Sequence, residues 1–347
     1  MLNVTFRVDA SVEIGSGHVM RCLTLATAMQ DVANCQFICQ ASEGHMAAVI
    51  VQHGFAVSLF EYAADDWEQD AHLTAALLQD CDLLIIDHYL RDFSYEQRLR
   101  QFCRYIMVID DLANRAHDCD VLLDCNLLPH YQQRYSSLVP ENCQTLLGPF
   151  YALLRNEFSV PQTEERRPDH LLICFGGTDP ANMTQWAIDA LRSAKVPAHT
   201  ADVVVGASHP HITAITESVA CLPEYQLHVQ ANNMAMLMQR ASLMVGAGGS
   251  MHWERCRMGL PAAVVTLADN QVETTRYLQE LHVCVWLGTA RELNTVDSLN
   301  KIISLLTQPS QLEKMSENAS MLVPAEGGAN AVKNALLSVV RGKNATL

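Results

Sequence analysis

Short apolar segments alternate with amphipathic segments along most of this 347-residue chain, and the alternation occurs in two successive halves. Such alternation is typical of parallel sheets whose strands are joined by crossover helices. The first half therefore predicts a Rossmann-type α/β domain. Its predicted strands are 2–8, 36–39, 56–60, 83–87, 105–109 and 121–124, with helices at 18–31, 44–53, 66–79 and 95–102.

A charged segment with two prolines, 159–169, interrupts the alternation and suits an exposed connector between domains. We therefore predict an N-terminal domain over 1–158, a linker over 159–169 and a C-terminal domain over 170–347, whose last helix could pack back on the N-terminal domain. Two Rossmann-type domains facing across a cleft are the GT-B arrangement, which is the predicted fold class. The second half has predicted strands at 171–175, 202–205, 226–229, 243–245, 262–266 and 283–287, and helices at 183–194, 234–241, 251–258, 311–322 and 329–340.

Composition excludes several classes of protein. A net charge of -15 without a basic stripe argues against nucleic-acid binding, and no apolar run is long enough for a membrane span. The first residues lack the features of a signal peptide, so we expect a cytoplasmic protein whose twelve cysteines are reduced. No two cysteines have C-x-x-C spacing, which disfavours a zinc ribbon. The oligomeric state cannot be deduced from the sequence.

A glycine turn with a histidine follows the first predicted strand, where α/β proteins bind ligands. In Gly15-Ser16-Gly17-His18, the glycines allow a tight turn and leave room for a substrate. A helix N-terminus disfavours a positive charge, so near neutral pH the imidazole would be available as a base. The alternative is an ordinary turn followed by a capping or packed histidine.

Two glycine motifs in the second half have the features of a phosphate site. Residues 175–179 (FGGTD) end a predicted strand, and residues 246–250 (GAGGS) lie between a strand and a helix. The candidate ligands of a pyrophosphate are Gly177, Thr178, Gly248, Gly249 and Ser250. Met251 occupies the last glycine position of G-x-G-x-x-G, which disfavours an NAD site. For residues 175–179 the alternative is a simple turn with a helix cap.

Further polar residues of the second half could hold a sugar nucleotide. Glu254 follows the second glycine motif by one helical turn and could accept hydrogen bonds from ribose hydroxyls, or could merely be a favourable acid near a helix N-terminus. Asn270 and Gln271 follow a predicted strand and suit sugar hydroxyls, although such a triplet with Asp269 is also a common polar turn.

Polar residues also lie at the carboxyl ends of strands in the first half. An apolar predicted strand ends with Asp87, His88 and Tyr89. In a parallel sheet this strand end is expected to lie near the loop that carries His18. Arg7, Asp9 and Arg21 could orient the imidazole or neutralise a phosphate, or form ordinary ion pairs. The D-x-D patterns at 80–82 and 118–120 precede strands rather than ending them, so no metal site and no cofactor are predicted.

These motifs, taken together and in order, resemble the PseG family, the UDP-2,4-diacetamido-2,4,6-trideoxy-β-L-altropyranose hydrolases of pseudaminic acid biosynthesis. The resemblance extends over nearly the whole chain. Ala10 stands where the family's first motif tends to carry serine. The residues that resemble the family are 6–11 (FRVDAS), 14–18 (IGSGH) with Arg21, 84–89 (LIIDHY), 151–158 (YALLRNEF) and 175–179 (FGGTD).

The resemblance implies a metal-independent, GT-B-like enzyme that releases UDP from its sugar with water as the acceptor. It implies that His18 is the general base, that Glu254 and Asn270 bind the UDP-sugar, and that Tyr89 and Arg155 belong to the site. Attack of the activated water on C1 would invert the anomeric centre, and general-base catalysis contributes about 10²–10⁴-fold.

Three other functions stay open. An inverting GT-B glycosyltransferase would use His18 to deprotonate an acceptor hydroxyl, and for a lipid acceptor it would show an apolar or basic patch, which the sequence does not reveal. A UDP-sugar 2-epimerase would retain the UDP-sugar bond in its product. A non-catalytic nucleotide-sugar binding module would keep Glu254 and the glycine loops, while His18 would be dispensable.

Overall fold

The computed structural model describes residues 1–61, 66–160, 163–193 and 199–342 of the chain. These residues form two compact units. Unit 1 comprises 1–126, 130–155 and the C-terminal segment from Glu326, and unit 2 comprises 127–129 and 156–325. The boundary at 155/156 precedes the predicted linker, which groups with unit 2, although its Pro161 and Gln162 lie outside the described residues. The predicted ends at Ala194 and at 343–347 also lie outside them.

Unit 1 contains a seven-stranded sheet, and every strand pairing within it is parallel. Its central strands are continuous apolar runs, as expected for strands covered on both faces. The sheet order is β3-β2-β1-β4-β5-β6-β7. The strands are β1 (Leu2–Val8), β2 (Ala33–Gln40), β3 (Ala56–Phe60), β4 (Cys81–Asp87), β5 (Cys103–Ile109), β6 (Val121–Asp124) and β7 (Gln144–Leu147), and the helices between them are α1 (Gly17–Met29), α2 (Ala47–Gln52), α3 (Trp67–Leu77) and α4 (Phe93–Leu99).

Unit 2 contains a six-stranded parallel sheet in the order β10-β9-β8-β11-β12-β13. This order repeats that of the first six strands of unit 1, so both units have the Rossmann topology. The strands are β8 (His170–Cys174), β9 (Thr200–Val205), β10 (Tyr225–Val229), β11 (Leu243–Ala247), β12 (Ala262–Thr266) and β13 (Cys284–Thr289), and the helices are α5 (Met183–Ser193), α6 (Ile212–Ala220), α7 (Met234–Arg240), α8 (Met251–Arg257), α9 (Val272–Glu280), α10 (Thr295–Leu306) and α11 (Pro309–Leu322).

The last helix, α12 (Ala329–Gly342), packs in unit 1 against α1. Its apolar residues Val332, Leu336 and Val340 recur at four-residue spacing and are buried in the core around β1. The C-terminal segment therefore contributes to unit 1, although its sequence follows unit 2. No helix in the described ranges has both the length and the apolar character of a membrane span.

Each sheet has one point at which the chain changes direction along the sheet. This point lies between β1 and β4 in unit 1 and between β8 and β11 in unit 2. The loops after such a strand pair diverge and leave a crevice at the carboxyl ends of the strands, where α/β proteins bind ligands. His18 follows β1, Tyr89 follows β4, and the glycine motifs of the second half follow β8 and β11.

A buried aspartate ties together three strands of unit 2, away from the glycine loops. Asp202 on β9 accepts hydrogen bonds from His170 (2.7 Å) and His228 (2.8 Å) and also pairs with Arg240. Burial alone would raise the pKa of Asp202, but these three partners hold it well below its usual range. Because the pKa is lowered in the folded state, the carboxylate stabilises the fold above about pH 4, and the stabilisation is lost as the pH falls.

We expect Asp202→Asn to reduce the free energy of unfolding at pH 7 by about 2–4 kcal/mol, since it leaves Arg240 without its carboxylate. Urea unfolding measures the change. The exposed Asp189→Asn is the control, with an expected effect within about 0.5 kcal/mol. A loss for Asp202→Asn no larger than that of the control would contradict the prediction.

Candidate active site

His18 and Asp87 meet at the carboxyl edge of the unit 1 sheet. β1 and β4 are paired so that Val8 lies beside Asp87, the last residue of β4. The loop after β1 turns back through Gly15, whose φ is +81°, and α1 begins at Gly17. His18 Nδ1 consequently lies 2.6 Å from Oδ1 of Asp87. The structure thus brings together two residues that are far apart in the sequence.

Arg21, one turn further along α1, binds the same carboxylate. Its Nε donates to Asp87 Oδ2 at 2.6 Å and its Nη2 donates to Oδ1 at 2.5 Å, while Nη1 reaches Asp111 at 3.2 Å. Burial alone would raise the pKa of Asp87, but Arg21 and His18 outweigh burial and hold it well below its usual range. Asp87 is therefore a carboxylate at every physiological pH and acts only as a hydrogen-bond acceptor.

This carboxylate decides which imidazole nitrogen carries the proton. The short contact with Asp87 assigns a hydrogen to Nδ1 of neutral His18, and Nε2 is then the nitrogen with the lone pair. Arg21 Nη2 also lies 3.1 Å from Nδ1, but both groups donate to Asp87. Nε2 has no hydrogen-bond partner among the described residues, and the side chain is about 10% exposed. The arrangement can therefore accept a proton from a ligand or water, and Asp87 would stabilise the resulting imidazolium.

Tyr89 lies against the imidazole. The two rings are perpendicular with centroids 4.7 Å apart, and the Tyr89 hydroxyl donates to Asp111 Oδ2 at 3.1 Å. Burial and the neighbouring Asp111 raise the pKa of Tyr89. The phenol therefore stays protonated, and because its hydrogen points at Asp111, its oxygen is left to accept a hydrogen bond from a ligand.

Arg7 and Asp9 do not orient the imidazole. Arg7 is buried between Asp9 (2.6 Å) and Asp70 (2.9 Å), and Asp9 in turn accepts from His88 at 3.0 Å. Asp9 also accepts the backbone N–H of Gln40 at 2.6 Å. These bonds tie together the carboxyl ends of β1, β2 and β4, so the role of Arg7 and Asp9 is to fix the loops that carry His18 and Tyr89.

The first glycine motif of unit 2 follows β8. Gly177 and Thr178 are exposed at the carboxyl edge of the sheet, and the Gly177 carbonyl accepts the N–H of Gly206 at 3.1 Å. Asp179 is buried and accepts the N–H groups of Met183 (2.9 Å) and Thr184 (2.7 Å). Asp179 is therefore the cap of α5, as the alternative reading of this motif predicts, while the two residues before it are open to a ligand.

The second glycine motif packs against Gln271. A Cβ at Gly248 would lie 3.1 Å from His252 Nε2, and one at Gly249, whose φ is +81°, would lie 3.4 Å from Gln271 Nε2. Ser250 is exposed and its side chain makes no capping bond. α8 has only seven residues, so its dipole is small, and a phosphate at this loop would rely mainly on the loop amides as donors.

The remaining predicted site residues lie at separate points. Glu254 is half-buried on α8, Asn270 is exposed in a 3₁₀ turn after β12, and Arg155 is half-buried at the end of unit 1. The structure thus brings His18 together with Gly17 and Tyr89, and Gly248 together with Gly249 and Gln271. None of the described contacts joins Asn270 to either group.

Three of the four aspartates in the D-x-D patterns, Asp82, Asp118 and Asp120, form ordinary ion pairs. Asp118 and Asp120 both bind Arg100, and Asp82 accepts the N–H of Asn3 at 2.9 Å. Within the described ranges, no three His, Cys, Asp or Glu side chains are grouped as metal ligands.

Asp111 is a site residue that the sequence reasoning missed. It bridges Arg21 and Tyr89 from the loop after β5. The sequence did contain an indication of Asp111. Asp110 and Asp111 directly follow the predicted strand 105–109, just as Asp87 ends the preceding predicted strand.

The two parallel α/β units and their ligand edges define a GT-B-like fold, and solved structures agree. MurG of Acinetobacter baumannii has a TM-score of 0.67 at 12% identity, covering 98% of this chain and 100% of MurG. HepE of Anabaena, solved with UDP and glucose, has a TM-score of 0.59 at 13% identity, covering 97% of this chain and 100% of that protein.

Sequence comparison confirms the resemblance to the PseG family. The UDP-2,4-diacetamido-2,4,6-trideoxy-β-L-altropyranose hydrolase of Campylobacter jejuni is 26% identical over 278 residues, which is 80% of this chain and 96% of that enzyme. The spore coat polysaccharide biosynthesis protein SpsG of Bacillus subtilis is 25% identical over 154 residues, 43% of this chain and 45% of SpsG. No family model matches the chain.

Proposed function

We propose that this protein hydrolyses a UDP-sugar to UDP and the free sugar, and that the substrate is UDP-2,4-diacetamido-2,4,6-trideoxy-β-L-altropyranose, as in the Campylobacter jejuni relative. The observation that carries the proposal is the pairing of His18 Nδ1 with the buried Asp87 carboxylate, which leaves Nε2 as a base. The protein would thus supply the free sugar for pseudaminic acid biosynthesis.

In the proposed reaction, His18 Nε2 takes a proton from water as the water oxygen bonds to C1 of the sugar. The bond between C1 and the phosphate oxygen breaks, and UDP leaves with the electron pair. Attack from the face opposite UDP inverts the anomeric centre. Asp87 stabilises the imidazolium, which then releases its proton to solvent, and Tyr89 accepts a hydrogen bond from the water or from a sugar group.

Unit 2 holds the nucleotide in this proposal. The backbone amides of Gly177, Gly248 and Gly249, with the hydroxyls of the exposed Thr178 and Ser250, bind the diphosphate and stabilise its developing charge without a metal. Glu254 accepts from the ribose hydroxyls. The sugar is bound by Asn270 together with Arg155, whereas Gln271 lies against Gly248 and Gly249 on the diphosphate side of the substrate.

Turnover in ¹⁸O-labelled water without an acceptor tests the reaction. We expect UDP release with the label on C1 of the free sugar and none on UDP, because His18 directs water to carbon. Mass spectrometry of both products measures the label. Label on UDP would mean attack at phosphorus, and a UDP-sugar left intact would refute hydrolysis.

A second function, glycosyl transfer, is favoured by one feature of unit 1. Val12, Ile14 and Leu90 are 75%, 45% and 60% exposed on the loops that precede α1 and follow β4. Exposed apolar side chains on these loops would suit an acceptor with an apolar part. In that case His18 would deprotonate an acceptor hydroxyl, and UDP release in the ¹⁸O experiment would require added acceptor. A non-catalytic binding module would bind UDP without releasing it from the sugar.

A further inference from the structure

Arg255 carries a buried charge in unit 2 that the proposed reaction has not used. It is completely buried on α8, and no carboxylate contacts it among the described residues. Its guanidinium donates to His252 Nδ1 at 3.1 Å and to the carbonyls of Leu260 (3.4 Å) and Val283 (3.1 Å). The buried Arg7, in contrast, binds two aspartates. Because an uncompensated buried charge is costly, Arg255 points to an anion that the described residues do not supply.

A directed hydrogen-bond chain leads from Arg255 toward the glycine loop. A guanidinium can only donate, so His252 Nδ1 accepts and the imidazole proton is on Nε2. Burial and the nearby Arg255 lower the pKa of His252, which keeps it neutral. His252 Nε2 then donates to Thr275 Oγ1 (3.0 Å), and Thr275 donates to the carbonyl of Gln271 (2.7 Å).

The hydrogen-bond chain that starts at Arg255 ends beside Gly248 and Gly249. His252 Nε2 and Thr275 Oγ1 would each lie 3.1 Å from a Cβ at Gly248, so the loop backbone rests directly on these two groups. Gln271 Oε1 accepts the N–H of Leu267 at 3.0 Å, which turns Nε2 toward Gly249 as a donor. The backbone and the side chain of Gln271 are therefore both fixed beside Gly248 and Gly249.

We propose that Arg255 is a positioning residue for a nucleoside diphosphate: its charge compensates the diphosphate on the Gly248–Ser250 loop, and its chain through His252 and Thr275 holds Gln271 as a donor to that anion. This inference rests on the proposed function, since it takes UDP as the ligand of unit 2. It predicts that Arg255 increases the affinity for the diphosphate group and does not affect the affinity for the nucleoside.

Titration calorimetry with UDP, uridine and inorganic pyrophosphate tests the inference. For Arg255→Met we expect affinities for UDP and pyrophosphate to fall about tenfold or more, with uridine affinity changed by less than about twofold. Arg255→Lys should retain most of the UDP affinity because it keeps the charge. Arg257→Met removes a charge from the same helix, where Arg257 binds the Phe158 carbonyl, and should change no affinity.

Thr275→Val breaks the hydrogen-bond chain but leaves the charge of Arg255 in place. We expect it to lower the affinity for UDP about threefold without changing the affinity for uridine. This variant decides the question if Arg255→Met does not fold. Equal losses for UDP and uridine, or unchanged UDP binding in both variants, would overturn the inference and leave the proposed function intact. Failure of the wild-type protein to bind UDP would instead overturn the proposed function, and this inference with it.

Discussion

His18→Asn should lower kcat for UDP-sugar hydrolysis by about 10²–10⁴-fold while UDP affinity changes by less than about twofold. The amide can still bond to Asp87, but it offers no basic nitrogen to water. The residues proposed to bind UDP lie in unit 2, so we expect their contacts to be unaffected by the change. Steady-state kinetics and calorimetry with UDP measure the two quantities.

His53→Asn is the matched control for this prediction. His53 is exposed at the end of α2, and its Nδ1 bonds to the carbonyl of Val49 at 2.9 Å. We expect its kcat to equal that of the wild-type protein. If His18→Asn retained more than about a tenth of the wild-type kcat, another group would have to be the base.

The predicted strand ends explain how much of the site could be derived from the sequence. β1 ends at Val8 and β4 ends at Asp87, as predicted, because buried parallel strands are continuous apolar runs with polar residues at their ends. Once both strands are known to lie in one parallel sheet, their carboxyl ends must share an edge. The proximity of His18 to Asp87 can therefore be predicted from the sequence.

Other parts of the molecule carry weaker signals. β7 has only four residues, and its first two, Gln144 and Thr145, are exposed and polar, so no apolar run marks it. The pairing of Asp111 with Arg21 depends on the strand order of the sheet, and the sequence does not specify that order. Arg255 is a charged residue on a short helix, and only the structure shows that it is buried, with its guanidinium on the carbonyls of Leu260 and Val283.

Asp87→Asn should reduce kcat by about 10²–10⁴-fold, although the nucleophilic water and His18 are untouched. An asparagine can present its NH₂ to Nδ1, and the imidazole proton then moves to Nε2, where it blocks proton transfer from water. ¹⁵N NMR of His18 distinguishes the two tautomers: we expect protonated Nδ1 in the wild-type protein and protonated Nε2 in the variant. Unchanged kcat with the Nε2 tautomer would contradict the assigned base.

Loss of a buried carboxylate also destabilises the fold, by about 2–4 kcal/mol as expected for Asp202→Asn, so the kinetic effect needs a control of equal cost. Asp202→Asn provides it, since Asp202 is a buried aspartate that binds two histidines and an arginine in unit 2. At a temperature where both variants are folded, we expect Asp202→Asn to keep the wild-type kcat. Only the aspartate that holds His18 Nδ1 should then affect turnover, which separates orientation of the base from general stability.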